Sequence, residues 1–381
     1  MPVEFIGFVG NFRASETVAP VNAPLDRPWI EALAKAQEVG GFDRVLLAFN
    51  STSPENLLVA QHVLSVTDKL KVMIAHRPGF VAPTLFARQI ATLDHLFGGD
   101  RVSVHVITGG VDAELAQDSD HLSKDARYAR AADYLRIVRK SWTATEPYSH
   151  KSDWYQVDRG ISDIRPRKGA VKLFVGGASR PAIDLTAEHA DVYALWGETL
   201  EQTRQIISEV THAAEGFGRR PEFSLSLRPI LAETEEAAWA KAAQILETAR
   251  ALRQGKAVAG PGASGQHNAR SELSRQEIAP PNEGARRLLD AAAKGARLDK
   301  RLWTELAALT GATGNSTSLV GTPDQVAEAM LDYYDLGVTH FLIRGFEPLE
   351  DAALYGRELI PRVRALVAAR DAARSAALAA E

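Results

Sequence analysis

Eight apolar runs of strand length alternate with segments whose apolar residues recur at helical spacing, and this alternation fills most of the chain. The runs cover residues 3–10, 44–50, 71–77, 101–108, 171–175, 192–196, 222–231 and 340–344. Helices are predicted from about 28 to 39, 54 to 66, 84 to 97, 125 to 142, 200 to 216 and 322 to 335. Further helices open at Pro181, near Glu235 and at 349, the last running to 368. Residues 148–167, rich in turn formers and aromatics, predict a small surface hairpin. Apolar strands interleaved with helices fit an α/β protein of (β/α)8 TIM-barrel type with insertions. A doubly wound open sheet is the alternative, but the first turn, Gly10-Asn11-Phe12-Arg13-Ala14, carries no dinucleotide-binding glycine pattern.

Between residues 253 and 317 the texture changes, with Gly, Ala, Asn, Ser and Pro concentrated in 255–265 and a Pro280-Pro281 break. This is too long for a simple connection. It reads as an insertion after the seventh strand that forms a mobile lid, with helices over 283–293 and 299–309. The Ala-rich stretch 367–381 reads as a C-terminal helical extension that either packs on another subunit or frays. On this reading residues 1–381 form one barrel domain.

Composition narrows the chemistry. Lys and Arg number 44 against 48 Asp and Glu, a net charge of -4, so neither nucleic acid nor an anionic membrane is implied as a partner. Cysteine is absent, which excludes disulfides, a thiolate nucleophile and cysteine-ligated metal. No HExxH or His-x-His pair offers a metal site either, so redox chemistry must come from a bound organic cofactor. Without a signal segment or a run of eighteen apolar residues, the expectation is a cytoplasmic protein.

A barrel places its working face at the carboxyl ends of the strands. There the sequence puts Asn11, Asn50, His76, Arg77, His105, Thr108, Gly176, Gly177, Ser179, Trp196, Arg228 and Arg344, a basic and hydrogen-bonding set within an acidic chain. The alternation Phe223-Ser224-Leu225-Ser226-Leu227-Arg228 puts Ser224, Ser226 and Arg228 on one strand face. A guanidinium there suits an oxyanion, and equally an inter-element salt bridge. The turn Gly176-Gly177-Ala178-Ser179, just before a helix, exposes backbone N–H groups suited to phosphate, or is a turn and nothing more. His76 and His105 are candidates for hydrogen bonding along a flat cofactor, or are buried core histidines. Trp196 supplies a pocket wall or core volume. Tyr128 and Arg130 reach toward a phosphate from a neighbouring helix, whereas Arg127, Arg136 and Arg139 read as solvated face residues.

Several stretches together resemble the luciferase-like flavin monooxygenases, and among them the alkanesulfonate monooxygenase branch. They are Arg88-Gln89-Ile90-Ala91-Thr92-Leu93-Asp94, Val106-Ile107-Thr108-Gly109-Gly110, Arg127-Tyr128, Phe174-Val175-Gly176-Gly177-Ala178-Ser179 and Leu195-Trp196-Gly197-Glu198. The resemblance covers about residues 3 to 365. It implies a bacterial luciferase-like barrel with the FMN phosphate at Gly176, Gly177, Ala178 and Ser179, aided by His76, His105, Thr108 and Tyr128. Substrate binding is implied at Asn11, Ser53, Trp196, Ser226, Arg228 and Arg344, with Arg228, His76 and Trp196 in catalysis.

The sequence departs from the branch at several of these positions. Ser53 stands where the family carries a cysteine, Ser226 and Arg228 stand for its Arg and His, and Phe346 and Pro348 replace a Tyr and a His. The resemblance implies an oxidoreductase that takes diffusible FMNH2 from an NAD(P)H-dependent flavin reductase and uses O2 to desulfonate an organosulfonate, releasing sulfite and an aldehyde. Sulfoquinovose, giving 6-oxo-glucose, is the expected substrate, because its hydroxyls match the polar wall of Asn11, Ser224 and Ser226. A simple alkanesulfonate is the alternative substrate. A deazaflavin-dependent oxidoreductase and a non-catalytic anion-binding barrel are the rival functions. A homodimer or larger homo-oligomer is implied by analogy.

Overall fold

The computed structural model describes residues 2–20, 23–254, 282–312, 314 and 316–380. The barrel strands are Glu4–Phe8 (β1), Arg44–Leu47 (β2), Lys71–His76 (β3) and Val102–Val106 (β4). After a two-stranded hairpin, Tyr148–Lys151 (β5) and Gln156–Gly160 (β6), they continue with Lys172–Gly176 (β7), Val192–Trp196 (β8) and Glu222–Leu227 (β9). Ile230–Leu231 (β10), Arg297–Leu298 (β11), Leu302–Trp303 (β12) and Ser318–Gly321 (β13) make a separate small sheet, and Val338–Ile343 (β14) is the last strand. Eight of these form the closed barrel, in the order β1-β14-β9-β8-β7-β4-β3-β2. Buried triplets such as Phe5-Ile6-Gly7 and Leu173-Phe174-Val175 explain why the strands read as unbroken apolar runs, since helices cover one face of each strand and barrel side chains the other.

The chain divides into two units. One comprises Met1–Val45, Leu195–Ser208 and Glu222–Glu381. Within it β1 pairs in parallel with β14 (Ile6 opposite Leu342) and β14 with β9 (Leu342 opposite Ser226). Helix α1, Arg27–Val39, starts at Asp26, whose side chain accepts from the Trp29 N–H. A capping box of Thr322 and Gln325 opens Pro323–Asp335.

Two expectations change in this unit. The predicted strand 222–231 breaks at Arg228-Pro229: Pro229 has no N–H to donate, and the Arg228 N–H turns to the Thr317 carbonyl, 3.0 Å away. Of the predicted helix 299–309 only Glu305–Thr310 is helical. Asp299 adopts a left-handed φ of 47°, so Arg297–Leu298 folds back antiparallel on Leu302–Trp303. The last helix begins at Pro348, passes through a wider turn at Tyr355–Leu359 and runs on to Ala380. At that turn Gly356 lies so close to Gly40 that an added Cβ would sit 2.3 Å from the Gly40 Cα. Residues 255–281 of the expected lid lie outside the described residues, and so does Glu381 of the C-terminal extension.

The other unit comprises Leu46–Ala194 and Glu209–Pro221. Its strands β3, β4, β7 and β8 pair in parallel, with His105 opposite both Ala75 and Phe174. The helix Lys124–Thr143 starts at the Ser123 cap, and Arg180–His189 follows β7 with Pro181 in its first turn. Among the described residues no helix is long and apolar enough to cross a membrane.

Candidate functional site

In the first unit, the ends of β9 and β14 bring Arg228 and Arg344 to one carboxylate. Glu16, in the loop after β1, places Oε2 2.5 Å from Nη1 of Arg228 and Oε1 3.0 Å from Nη2 of Arg344. Arg228 is fully buried, lies 3.7 Å from the Phe346 ring centroid and donates through Nη2 to the Gly345 carbonyl at 2.9 Å. Burial pushes the Glu16 carboxyl up, but Arg228 and then Arg344 outweigh it and hold the pKa at about 2. Burial and the neighbouring Arg228 lower Arg344 to about 10, against the pull of Glu16. Arg344 therefore stays charged at neutral pH.

The salt-bridge reading of Arg228 is thus present in the fold, and it leaves donors over. The Nε atoms of both arginines are enclosed and have no hydrogen-bond partner. Both residues line a cavity of about 30 Å³, whose other walls include Phe8, Phe12, Trp29 and Phe42. That volume holds about two waters and no organic substrate. Asn11 lies in the same loop as Glu16, with its carbonyl accepting from the Asp26 N–H at 2.7 Å. Ser226 is buried on β9. Trp196 packs its ring against Gly284, at the start of the helix Glu283–Lys294, beside the apolar cluster of Ala285, Leu288, Ala307 and Ala312.

The second unit contains the Gly-Gly turn. Gly176 closes β7 and Gly177 has a left-handed φ of 121°. A Cβ on Gly177 would lie 2.8 Å from the Tyr128 hydroxyl and 2.9 Å from the Ala182 Cβ. The Tyr193 hydroxyl donates to the Gly177 carbonyl at 2.6 Å and fixes the turn from below. After Ala178, Ser179 occupies the N-cap of Arg180–His189, yet its side chain makes no cap bond, and its Oγ is enclosed without a partner. Pro181 has no N–H and the Ala182 N–H bonds the Ser179 carbonyl at 2.9 Å, so the anion-binding potential of this helix start rests on its dipole, the backbone of the turn and the unsatisfied buried hydroxyl.

His76 ends β3, stacked on Phe86 with centroids 3.5 Å apart, and its Nε2 lies 2.8 Å from the Tyr134 hydroxyl. Burial raises the Tyr134 pKa well above its usual value, and burial lowers His76 to about 3. Both groups are therefore neutral near pH 7, and the tautomer of the ring sets which of them donates across this contact. Burial also lowers His105 to about 4, against a hydrogen bond to the Phe174 backbone, and its Nδ1 is enclosed without a partner. Because the folded pKa of His105 lies below the ordinary 6.5, the unfolded chain binds more protons below that pH. Stability contributed by the neutral ring is whole above about 6.5 and is lost as pH falls toward about 4. Urea unfolding at about pH 7.5 and about pH 5 is expected to show a smaller stability loss for His105→Gln than for the wild type. Equal losses would remove His105 as a source of the pH dependence.

Other positions bond to their own surroundings. Thr108 offers its carbonyl to Nε of Arg127 at 3.0 Å. Arg127 is only 2% exposed and also bonds Asp112 and the Leu122 carbonyl, which corrects its reading as a solvated residue. Arg130 pairs with Asp120 at 2.5 Å and lies over Gly79, and its Nε is enclosed without a partner. Ser53 sits in a turn closed by its N–H to the Asn50 carbonyl. Beside it, Arg77 bonds both Ser51 and Glu114. Sequence reasoning missed Glu16 and Tyr134. It also missed the pair of Arg287 with Glu198, whose pKa burial raises against the opposing arginine. Among the described residues no group of three or more His, Asp or Glu is placed to hold a metal.

The sequence profile of the luciferase-like monooxygenases matches residues 3–340. Solved structures share the fold. A riboflavin lyase crystallised with modified FMN and riboflavin superposes with a TM-score of 0.72 at 18% identity, covering 96% of this chain and 92% of its own. DmoA of Hyphomicrobium sulfonivorans gives 0.73 at 20% identity, covering 96% and 88%. An F420-dependent secondary alcohol dehydrogenase gives 0.66 at 16%, covering 95% and 99%.

Proposed function

The chain belongs to the luciferase-like monooxygenase family, and on that premise we propose that it is an FMNH2-dependent monooxygenase that cleaves the C–S bond of an organosulfonate. The observation that carries the substrate class is the enclosed pair Arg228 and Arg344, whose Nε–H groups have no partner. Sulfoquinovose is the preferred substrate on this reading, with Asn11, Ser224 and Ser226 offering hydrogen bonds to its hydroxyls. Simple alkanesulfonates are the alternative. The balanced reaction takes R–CH2–SO3⁻, O2 and FMNH2 to R–CHO, HSO3⁻, FMN and water.

FMN fits the second unit. Ser179 Oγ and the Gly176-Gly177 turn at the helix start would hold the phosphate, with Tyr128 beside them. His105 Nδ1 is an unsatisfied group for the ring system, and His76, held through Nε2 by Tyr134, has its other ring nitrogen for the same use. Bound reduced FMN supplies the two electrons for oxygen activation, which no side chain here provides. Arg228 and Arg344 bind the sulfonate and stabilise the negative charge that collects on the departing sulfite. Trp196 serves as an apolar wall. Reduced flavin comes from a separate NAD(P)H-dependent reductase, and the enzyme works as a homo-oligomer in the cytoplasm.

The test is sulfite release with oxygen uptake, using FMN, NADH and a generic flavin reductase, on sulfoquinovose and a series of alkanesulfonates. Release selective for sulfoquinovose supports the sulfosugar reading, and selectivity for alkanesulfonates moves the substrate to the simpler class. No sulfite from any of them would sink desulfonation. The fold likeness to an F420-dependent dehydrogenase motivates a second reading, hydride transfer to a deazaflavin, which consumes no oxygen.

A further inference from the structure

Glu16 reaches the two arginines from a segment that is itself fastened. Ser15 Oγ accepts from the N–H groups of Thr17 and Val18 at 3.0 Å, and Thr17 Oγ1 donates to the Phe346 carbonyl at 3.2 Å. Arg13 donates to Glu347 at 3.1 Å. The carboxylate is thus held in place, with one oxygen facing each guanidinium; Oε2 and Nη1 of Arg228 pair in charge without hydrogen-bond geometry, and the enclosed Nε–H groups of Arg228 and Arg344 have no partner either.

We infer that Glu16 is an internal occupant of the anion site and that it selects sulfonates against carboxylates. This rests on the reading of Arg228 and Arg344 as the substrate anion site. A tethered carboxylate competes at an effective concentration of roughly millimolar. An external carboxylate repeats the two contacts that Glu16 already makes and gains nothing by displacing it. A sulfonate keeps one oxygen for each guanidinium and brings a third to the Nε–H groups, so it alone gains from the exchange.

The test uses the full-length protein with methanesulfonate and acetate as probes, titrated calorimetrically into the wild type, Glu16→Gln and Glu16→Asp. The wild type is expected to bind methanesulfonate in preference to acetate. In Glu16→Gln acetate affinity is expected to rise by about tenfold or more, and the preference to shrink. Glu16→Asp keeps the charge but shortens the reach, and shifts both affinities the same way by less. It carries the test if the glutamine variant does not fold. Unchanged or weaker binding of both anions in the variants, or a wild type that prefers acetate, overturns the inference. Sulfite release is measured on the same samples to separate two failures. A changed preference without any sulfite release sinks the desulfonation reading alone, whereas sulfite release with unchanged preference sinks the role of Glu16 alone.

Discussion

Arg228→Met is expected to lower sulfonate turnover by a factor of tens to several thousand, the rate equivalent of the roughly 2 to 5 kcal/mol lost when a buried charge partner is removed. The residue is fully enclosed, so its charge is not screened as a surface guanidinium would be, and a surface pair is worth only about 0 to 1 kcal/mol. The same enclosure means that folding does not escape unharmed. Methionine fills the volume over Phe346, but it leaves the Gly345 carbonyl without its donor and Glu16 with Arg344 alone. A loss of activity would therefore be ambiguous if measured by itself. The double variant Arg228→Met with Glu16→Gln resolves it, because removing the stranded carboxylate is expected to restore stability without restoring turnover. Recovery of turnover together with stability would show that Arg228 is a scaffold residue only.

The barrel was legible because each strand is covered on both faces. The centre of the third run, Val72-Met73-Ile74-Ala75, is buried and apolar without alternation, and only barrels and doubly wound sheets ask for such runs between helices. The Gly176-Gly177 turn was legible for a similar reason, since a left-handed residue after a strand favours glycine. What failed to show was contact between elements far apart in the chain. Glu16 lies in a loop without periodicity, and nothing local distinguishes it from any exposed acid, although it neutralises an arginine on β9. Arg127 stands on a helix among other arginines, and only the folded chain shows that the Thr108 and Leu122 carbonyls surround it. The hairpin at 297–303 was hidden because its strands are two residues each, too short to carry an alternation. Helical spacing across 299–309 then misled, with the left-handed Asp299 as the point of failure.

Gly177→Ala is expected to weaken FMN binding by about ten- to a hundredfold, a loss matching the roughly 1 to 3 kcal/mol of backbone strain at a left-handed position. The added methyl meets the Tyr128 hydroxyl at 2.8 Å and the Ala182 Cβ at 2.9 Å, so the start of the helix Arg180–His189 has to move. That start carries the Ser179 hydroxyl proposed for the phosphate, which makes the defect specific to FMN. Riboflavin, which has no phosphate, should bind the wild type and the variant alike. Gly169 provides the comparison, because it too is left-handed, at 82°, but a Cβ there meets nothing within 4 Å. Gly169→Ala therefore reports strain without displacing the turn, and its FMN affinity should match the wild type. Flavin fluorescence titrations of both variants with FMN and with riboflavin decide the matter. If Gly177→Ala keeps its preference for FMN over riboflavin, the phosphate is not held at this turn, and the unsatisfied Ser179 hydroxyl needs another explanation.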